Sequence, residues 1–500
     1  MVSEAAYKEV LDENTILKER VVQSDVRIAA LSFELDNLKR AVFGSSSERH
    51  SGGTPDASLP SLFPTEAPVE QEAPVTEQIT YERNKPRAPK NNPDRLDIAD
   101  HIERRKLVLE PDGVDVTGMQ CIGETVNRRL MYIPASFLML ETIRPKYKDP
   151  LTGRILQAPA IDQVFAKSCV DESVAAHVAV QKIVDHLPLY RIARIFARQG
   201  VNIPESTLGD IYAESSRLLQ PLYEAHRKDV LEGGYVNIDE TVIRVQDSEK
   251  TGATHQGYYW VCYNNPTKAV LFVYDPSRAR GAPQKILEGY QGYLQTDGYS
   301  AYEGFDDVPG ITLVGCMAHA RRKFFEAKAA NRELAEEALA LFGRVYAVER
   351  QIREQGLEAE AKLAYRREHS MAALQALHEW LLNKYASIQV PSDPIRKAVE
   401  YTLSRWDRLV IYAQTHHLEP DNNKVENSIR PVAIGRKNYL FAGSHDAAQR
   451  SAVFYSLLGT CKAHGLEPFA WLRDVLGRLP YHPQSRIKEL LPQYYKPLEI

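Results

Sequence analysis

YVNIDETVIRV, residues 235–245, is the stretch on which the fold turns. Val, Ile, Thr and Tyr dominate it and apolar side chains largely alternate with polar ones, which predicts a strand. An aspartate, Asp239, sits inside that run. Two runs of similar composition follow across polar turns, GYYWVCY (257–263) and AVLFVYD (269–275). A helix-like segment, APQKILEGY, leads to a fourth strand, GYLQTDGYSAY. A fifth, ITLVGCMA, runs into a long charged helix starting near Ala318.

Three strands, a helix, then strand, helix, strand, helix is the order of a ribonuclease-H-like mixed sheet, an α/β catalytic core. In that order one acid lies within the first strand and another just after the fourth. Asp239 and Asp297 fall at those points. A third acid, Glu426, stands in DNNKVENSIRPVAIGRKNYLFAG (421–443), crowded by Asn423, Asn427, Arg430, Arg436 and Lys437. The interval 426 − 297 = 129 positions exceeds what a compact core needs, and the helical stretch at about 341–417 reads as an insertion. The catalytic region is thus expected over 233–450, with a helical C-terminal segment over 451–500.

Carboxylates on separate elements suit phosphodiester cleavage. Two divalent ions about 3.5–4 Å apart stabilise the attacking and leaving oxygens, and Mg²⁺ favours hard oxygen ligands. Asp239, Asp297 and Glu426 are therefore the candidate catalytic and metal-binding residues; taken singly each acid reads first as a solvated turn residue, and it is the three together on the expected elements that carry the reading. His319, Arg321, Arg322 and Lys323 at a helix start, with Arg430, Arg436 and Lys437, are the candidate DNA contacts, since cations there hold phosphate oxygens. A plain solvated helix face is the alternative for the first group. Cys316 and His319 give C-x2-H, half of a zinc-site spacing without a second half, and Cys316 reads as a core residue.

Upstream, residues 1–43 carry a heptad seam at Tyr7, Val10, Asn14, Leu17, Val21, Ser24, Ile28, Leu31, Leu35, Leu38 and Val42; nine of these eleven are apolar or aromatic. That predicts a coiled coil and self-association, with one amphipathic helix on its own protein as the alternative. A linker spans 44–95: residues 51–80 hold five acids, five prolines and no Lys or Arg, too little apolar surface to fold. The basic residues Arg83, Lys85, Arg87 and Lys90 after it suit an arm along a phosphate backbone, or simply a solvated linker. Short strand-like runs separated by turns predict a small β-rich module over 96–160. Residues 161–232 predict three helices with a Gly-containing turn between the second and third, either a helix-turn-helix or a plain bundle.

The five cysteines form no CxxC pair, fitting a reducing compartment. No run reaches the length of a membrane span, and the net charge of −4 excludes a bulk nucleic-acid coater, so DNA contact must come from local basic patches. A cytoplasmic protein, nucleoid-associated when on DNA, is expected.

The segments YVNIDET, YLQTDGYSAY, GCMAHARRKF and DNNKVENSIRPVAIGRKNYLFAGS, followed by SAVFYSLLGTCKAHGLEPFAWLRDVL, resemble the insertion-sequence-66 family of DDE transposases. The N-terminal heptads resemble the family's leucine zipper, and the likeness spans nearly the whole chain. It implies catalysis by Asp239, Asp297 and Glu426 with two Mg²⁺ or Mn²⁺ ions. It also implies nicking at the element's terminal inverted repeats, joining of the freed 3′-hydroxyl to target DNA, and two small accessory proteins as partners. Family members usually carry two cysteine pairs before the catalytic domain. This chain has neither, so no structural zinc is expected. A non-catalytic DNA-binding regulator and a nuclease without strand transfer are the competing functions, because a fold does not fix a function.

Overall fold

The computed structural model describes residues 137–139, 146–148, 155–157, 164–165, 170–246 and 252–497. The expected coiled coil, the linker and most of the β-rich module lie outside these residues. Of that module, two antiparallel strands are described, β1 (Lys146–Lys148) and β2 (Ile155–Gln157).

Three helices follow. Asp171 starts α1 (Glu172–Ile183) by accepting the Ser173 and Val174 N–H groups on its side chain. Pro188 precedes α2 (Leu189–Arg198), and Gly200, at φ +86°, turns the chain toward α3 (Glu205–Leu231). The helix-turn-helix outline is present, but α3 is 27 residues long and most of it belongs to the sheet. Tyr223 Oη donates to Phe272 O at 2.7 Å and His226 Nε2 bonds Val270 O at 2.8 Å.

The sheet has five strands in the order β5-β4-β3-β6-β7. β3 (Tyr235–Gln246), β4 (Thr254–Asn264) and β5 (Ala269–Asp275) form an antiparallel meander. After the short helix α4 (Gly281–Ile286), β6 (Gly292–Gln295) and β7 (Ile311–Val314) continue on the other side of β3 in parallel. This mixed order matches the expected ribonuclease-H-like core. Tyr235, Val236, Asn237 and Ile238 are all buried, because here β3 is the central strand, covered on both faces. The fourth strand is shorter than its sequence suggests: Gly298, at φ +87°, ends the extended run, and Ser300–Phe305 winds into a 3-10 turn.

The expected long charged helix is two. α5 (Met317–Glu326) stops, and Asn331 starts α6 (Arg332–Glu354) by accepting the Leu334 N–H at 3.1 Å. α7 (Ala359–Tyr365) and α8 (Met371–Ser387) are joined by a π-turn, Arg366–Ser370, and α9 (Pro394–Leu403) and α10 (Trp406–Val410) follow. Phe324, Phe342, Leu377, Val399 and Tyr412 build a second core for this helical layer, distinct from that of the sheet. The position expected to open the insertion, 341, lies within α6.

Then come α11 (Asn423–Tyr439), α12 (His445–Ala463) and α13 (Pro468–Arg478). α12 closes the open edge of β5: Val270 N donates to Thr460 Oγ1 at 2.9 Å and Phe272 N to Ser456 Oγ at 2.8 Å. With Tyr223 and His226 on the carbonyls of the same two residues, α3 and α12 together satisfy an edge that would otherwise template pairing with another chain.

Candidate active site

β3 and β6 run parallel with Asn237 opposite Gln295. Each segment continues two residues past that pair, to Asp239 inside β3 and to Asp297 just beyond the end of β6, and the Asp297 charge is felt at Asp239. The Glu240 N–H donates to Asp239 Oδ1 and the Tyr299 N–H to Asp297 Oδ1, both at 2.8 Å. The loop bearing Asp297 is fixed from the helical layer. Tyr401 Oη donates to Asp297 O at 2.7 Å, and Arg405 Nη2 to Gly298 O at 3.2 Å. A Cβ on Gly298 would lie 2.7 Å from Arg405 Nε, so this position needs glycine for space as well as for φ.

Glu426 arrives on α11, in its first turn. The buried Asn422, the residue before that helix, donates from Nδ2 to Ile238 O at 3.1 Å and from its backbone N–H to Cys316 Sγ at 3.2 Å. The helix carrying the third acid is therefore clamped to the residue next to the first acid.

Negative charge is crowded here. Burial first, then Asp297 and Glu240, push the Asp239 carboxyl up to about 8; Glu426 adds to this, against the Glu240 N–H bond. Glu240 itself is neutralised: Arg278 donates to its Oε1 from Nε at 2.9 Å and from Nη2 at 2.5 Å, and Tyr302 Oη to its Oε2 at 2.8 Å. Glu426 Oε1 is sealed from solvent without a hydrogen bond. His319 Nδ1 lies 3.8 Å from that oxygen, and Arg322 Nη2 is 3.5 Å from Oε2. Burial holds His319 below its ordinary value although Glu426 raises it, so the imidazole is neutral at pH 7. The orphaned oxygen of Glu426, whose charge is felt at the buried and crowded Asp239, suits a hard divalent cation.

The C-x2-H spacing acquires a third member. One ligand atom each of Cys316, His319 and Glu426 lie within 4.8 Å of one another. Burial pushes the Cys316 thiol up to about 12, so it enters this cluster as a packed thiol.

Of the candidate DNA contacts, Arg321, Arg322, Lys323, Arg430 and Lys437 are exposed, and His319 is half-buried beside Glu426. Lys323 also lies 5.7 Å from the centre of the Tyr401 ring. Arg436 is placed differently: its Nη1 donates to Val242 O at 2.9 Å, tying α11 to β3.

The profile of the family described as "Transposase IS66 family" matches residues 167–450, more than half of the chain. The chain belongs to the IS66 transposase family. The profile "IS66 C-terminal element" matches residues 456–493, and "Transposase C of IS166 homeodomain" matches 30–106. Among relatives in Sinorhizobium fredii, the uncharacterized protein y4hP is 31% identical, covering 94% of this chain and 89% of its own length. The uncharacterized protein y4qI is 31% identical over 99% of this chain and 94% of its own length. In this IS66-family chain, no helix among the described residues is long and apolar enough to cross a membrane.

Three residues that brace the candidate acids escape a reading of the sequence: Asn422, Tyr401 and Arg405. Asn422 alone had a local signal, as an Asn immediately before a helix. The tyrosine and arginine reach partners 104 and 107 positions away, and nothing near them in the chain announces it.

Proposed function

We propose that this chain is the catalytic transposase of its element. It binds the terminal inverted repeats, nicks their ends by attack of water on phosphorus with release of a 3′-hydroxyl, and joins that hydroxyl to target DNA. The observation that carries this is the placement of Asp239 and Asp297 on neighbouring parallel strands, with Glu426 one turn beyond the Asn422 clamp and its Oε1 unbonded. Asp239, Asp297 and Glu426 would hold two Mg²⁺ or Mn²⁺ ions, which supply Lewis-acid stabilisation of the attacking and leaving oxygens. His319, neutral and beside Glu426, is suited to bonding a phosphate or water oxygen. Arg321, Arg322 and Lys323 neutralise charge that develops on the phosphate, and Arg430 and Lys437 hold the backbone further along. Arg436 is assigned to bracing α11. Self-association through residues 1–43 and small accessory proteins complete the proposed assembly.

The test is cleavage and joining of terminal-repeat DNA with Mg²⁺ by wild type and by Glu426→Gln. Product from wild type alone supports the assignment. Equal activity in both removes Glu426 from it, and binding with no cleavage by wild type would make the chain a DNA-binding regulator.

A further inference from the structure

After Lys437 the exposed face of α11 ends in an unusual turn. Leu440 has φ +63° and ψ −45°, and the Phe441 N–H donates to Tyr439 O at 2.7 Å. That is a γ-turn of the positive-φ hand, a strained conformation for any residue with a Cβ. Strain of this kind persists only where the surroundings fix it from both sides. Here they do. Leu440 N still bonds Arg436 O at 3.0 Å, and the Tyr439 hydroxyl is held by Tyr455 at 2.8 Å. Two residues later Ala442 is stitched to the end of β3, its N–H on Arg244 O and its carbonyl on the Gln246 N–H, each at 2.8 Å.

Between these anchors the chain displays two large apolar side chains in water. Leu440 is 63% exposed and Phe441 42%, and Ile434, six residues before Leu440, is 52% exposed. Their surroundings are cationic. Glu426, Arg430, Ala433 and Lys437 recur at i, i+4, i+7 and i+11, so the two cations share the acid's stripe of α11. Arg191 of α2 reaches Asn438 at 3.4 Å, bringing α2 and its exposed Arg191, Arg194 and Arg198 against the same end of the helix. By contrast the start of α3 exposes Glu205 and Asp210.

We infer that the Leu440–Phe441 turn is an apolar wedge that enters the base stack of duplex DNA lying along α11, unstacking one step at a fixed distance from the scissile phosphate. The inference rests on the reading of this chain as a transposase. Charge complementarity selects the occupant. A second copy would set Arg430, Lys437 and Arg191 against the same cations, whereas a duplex offers phosphates on both sides of an apolar stack. The fourteen positions from Glu426 to Leu440 rise about 21 Å along the helix, which is about six base pairs of duplex. Rigid anchoring lets apolar side chains open a stack rather than fold away from it.

The experiment uses the full chain and a duplex copied from the end of the DNA element that carries its coding sequence, with single 2-aminopurine substitutions along it. Binding is followed by anisotropy and unstacking by 2-aminopurine fluorescence. Wild type should bind and brighten the probe at one or two adjacent positions. Leu440→Gly/Phe441→Ser, in which glycine accepts the positive φ without strain, should fold, lose the brightening and bind about tenfold more weakly. Arg430→Ala should weaken binding yet keep the brightening at saturation. Wild-type binding without brightening, or brightening retained by the double variant, overturns the wedge and leaves the proposed function standing. Absence of wild-type binding overturns both. A double variant that changes only its sedimentation, with binding and brightening intact, makes the turn a contact between copies and also overturns the wedge.

Discussion

The molecule buries charge in two places and treats it in opposite ways. In the helical layer, Arg366 is fully buried in a π-turn, and its Nε and Nη2 hold the two oxygens of Glu349 at 2.8 and 2.7 Å. Its Nη1 reaches the carbonyls of Tyr412, Thr415 and Leu418 at 3.0, 2.7 and 2.9 Å. There the guanidinium and the carboxylate answer each other. Within β3 and just past β6 the acids crowd one another instead, Asp239 is driven toward its protonated form, and Glu426, 3.5 Å from Arg322 through Oε2, leaves Oε1 without a hydrogen bond. A buried charge without partners is costly, and a chain that keeps one uses it. The matched pair is architecture, joining α6 to the loop that leads into α11. On the function proposed above, the crowded acids are where ions from outside the chain would sit.

The comparison can be broken most decisively at Glu426. Glu426→Gln should lower strand cleavage by at least about a thousandfold, the scale of several kcal/mol of lost transition-state stabilisation, with duplex binding retained. Asp239→Asn should be equally inactive yet melt a few degrees higher than wild type in EDTA at pH 7, because a carboxyl that ionises freely in the unfolded chain is forced to hold a proton in the fold, and an amide is not. Adding Mg²⁺ should raise the melting temperature of wild type and not of this variant; a lower melting temperature for Asp239→Asn in EDTA would contradict the unmatched reading.

The matched side predicts the reverse sign. Arg366→Met strands Glu349 in the interior and should lose about 3–5 kcal/mol in urea unfolding. Arg366→Met/Glu349→Leu should recover most of that loss, and failure to recover would mean that the contacts of Arg366 to the three carbonyls matter more than the pair.

The edge of β5 is matched too, and there pH gives the lever. His226 bonds Val270 O, and burial, outweighing that bond and Asp229, pushes it down to about 4 from an ordinary 6.5. Between those values the unfolded chain binds more protons than the fold. This contribution is complete above pH 6.5 and declines as pH falls toward 4, by up to about 3 kcal/mol. Urea midpoints at pH 7 and pH 5 should differ in wild type, and the difference should shrink in His226→Gln. The smallest effect is expected for Thr460→Val, which leaves the Val270 N–H unanswered and should cost about 1–2 kcal/mol by thermal unfolding.

How far the sequence carried these conclusions depends on the range of each interaction. Asp239 was legible because strand periodicity is local, and Asp297 because Gly298 follows it directly. The order of strands and helices gave the sheet. The braces were not legible: Asn422 acts on Ile238 across 184 positions, and a lone tyrosine or arginine in a helical insertion looks like any other. Arg366 and Glu349 fall in a stretch that reads only as a helical insertion, since burial of a charged pair depends on packing that charge counts do not encode. Arg436 was grouped with its basic neighbours because composition cannot distinguish a cation facing solvent from one bonded to Val242 O.

The closure of β5 by α12 has a consequence for synthesis. The strands at 235–314 leave the ribosome long before residues 445–463, so throughout translation the growing chain carries an open sheet edge and lacks Glu426. A chain cut short in that interval would leave the Val270 and Phe272 N–H groups without Thr460 and Ser456 to accept from them. The third acid and the cover of the sheet edge arrive together, within the same few turns of helix.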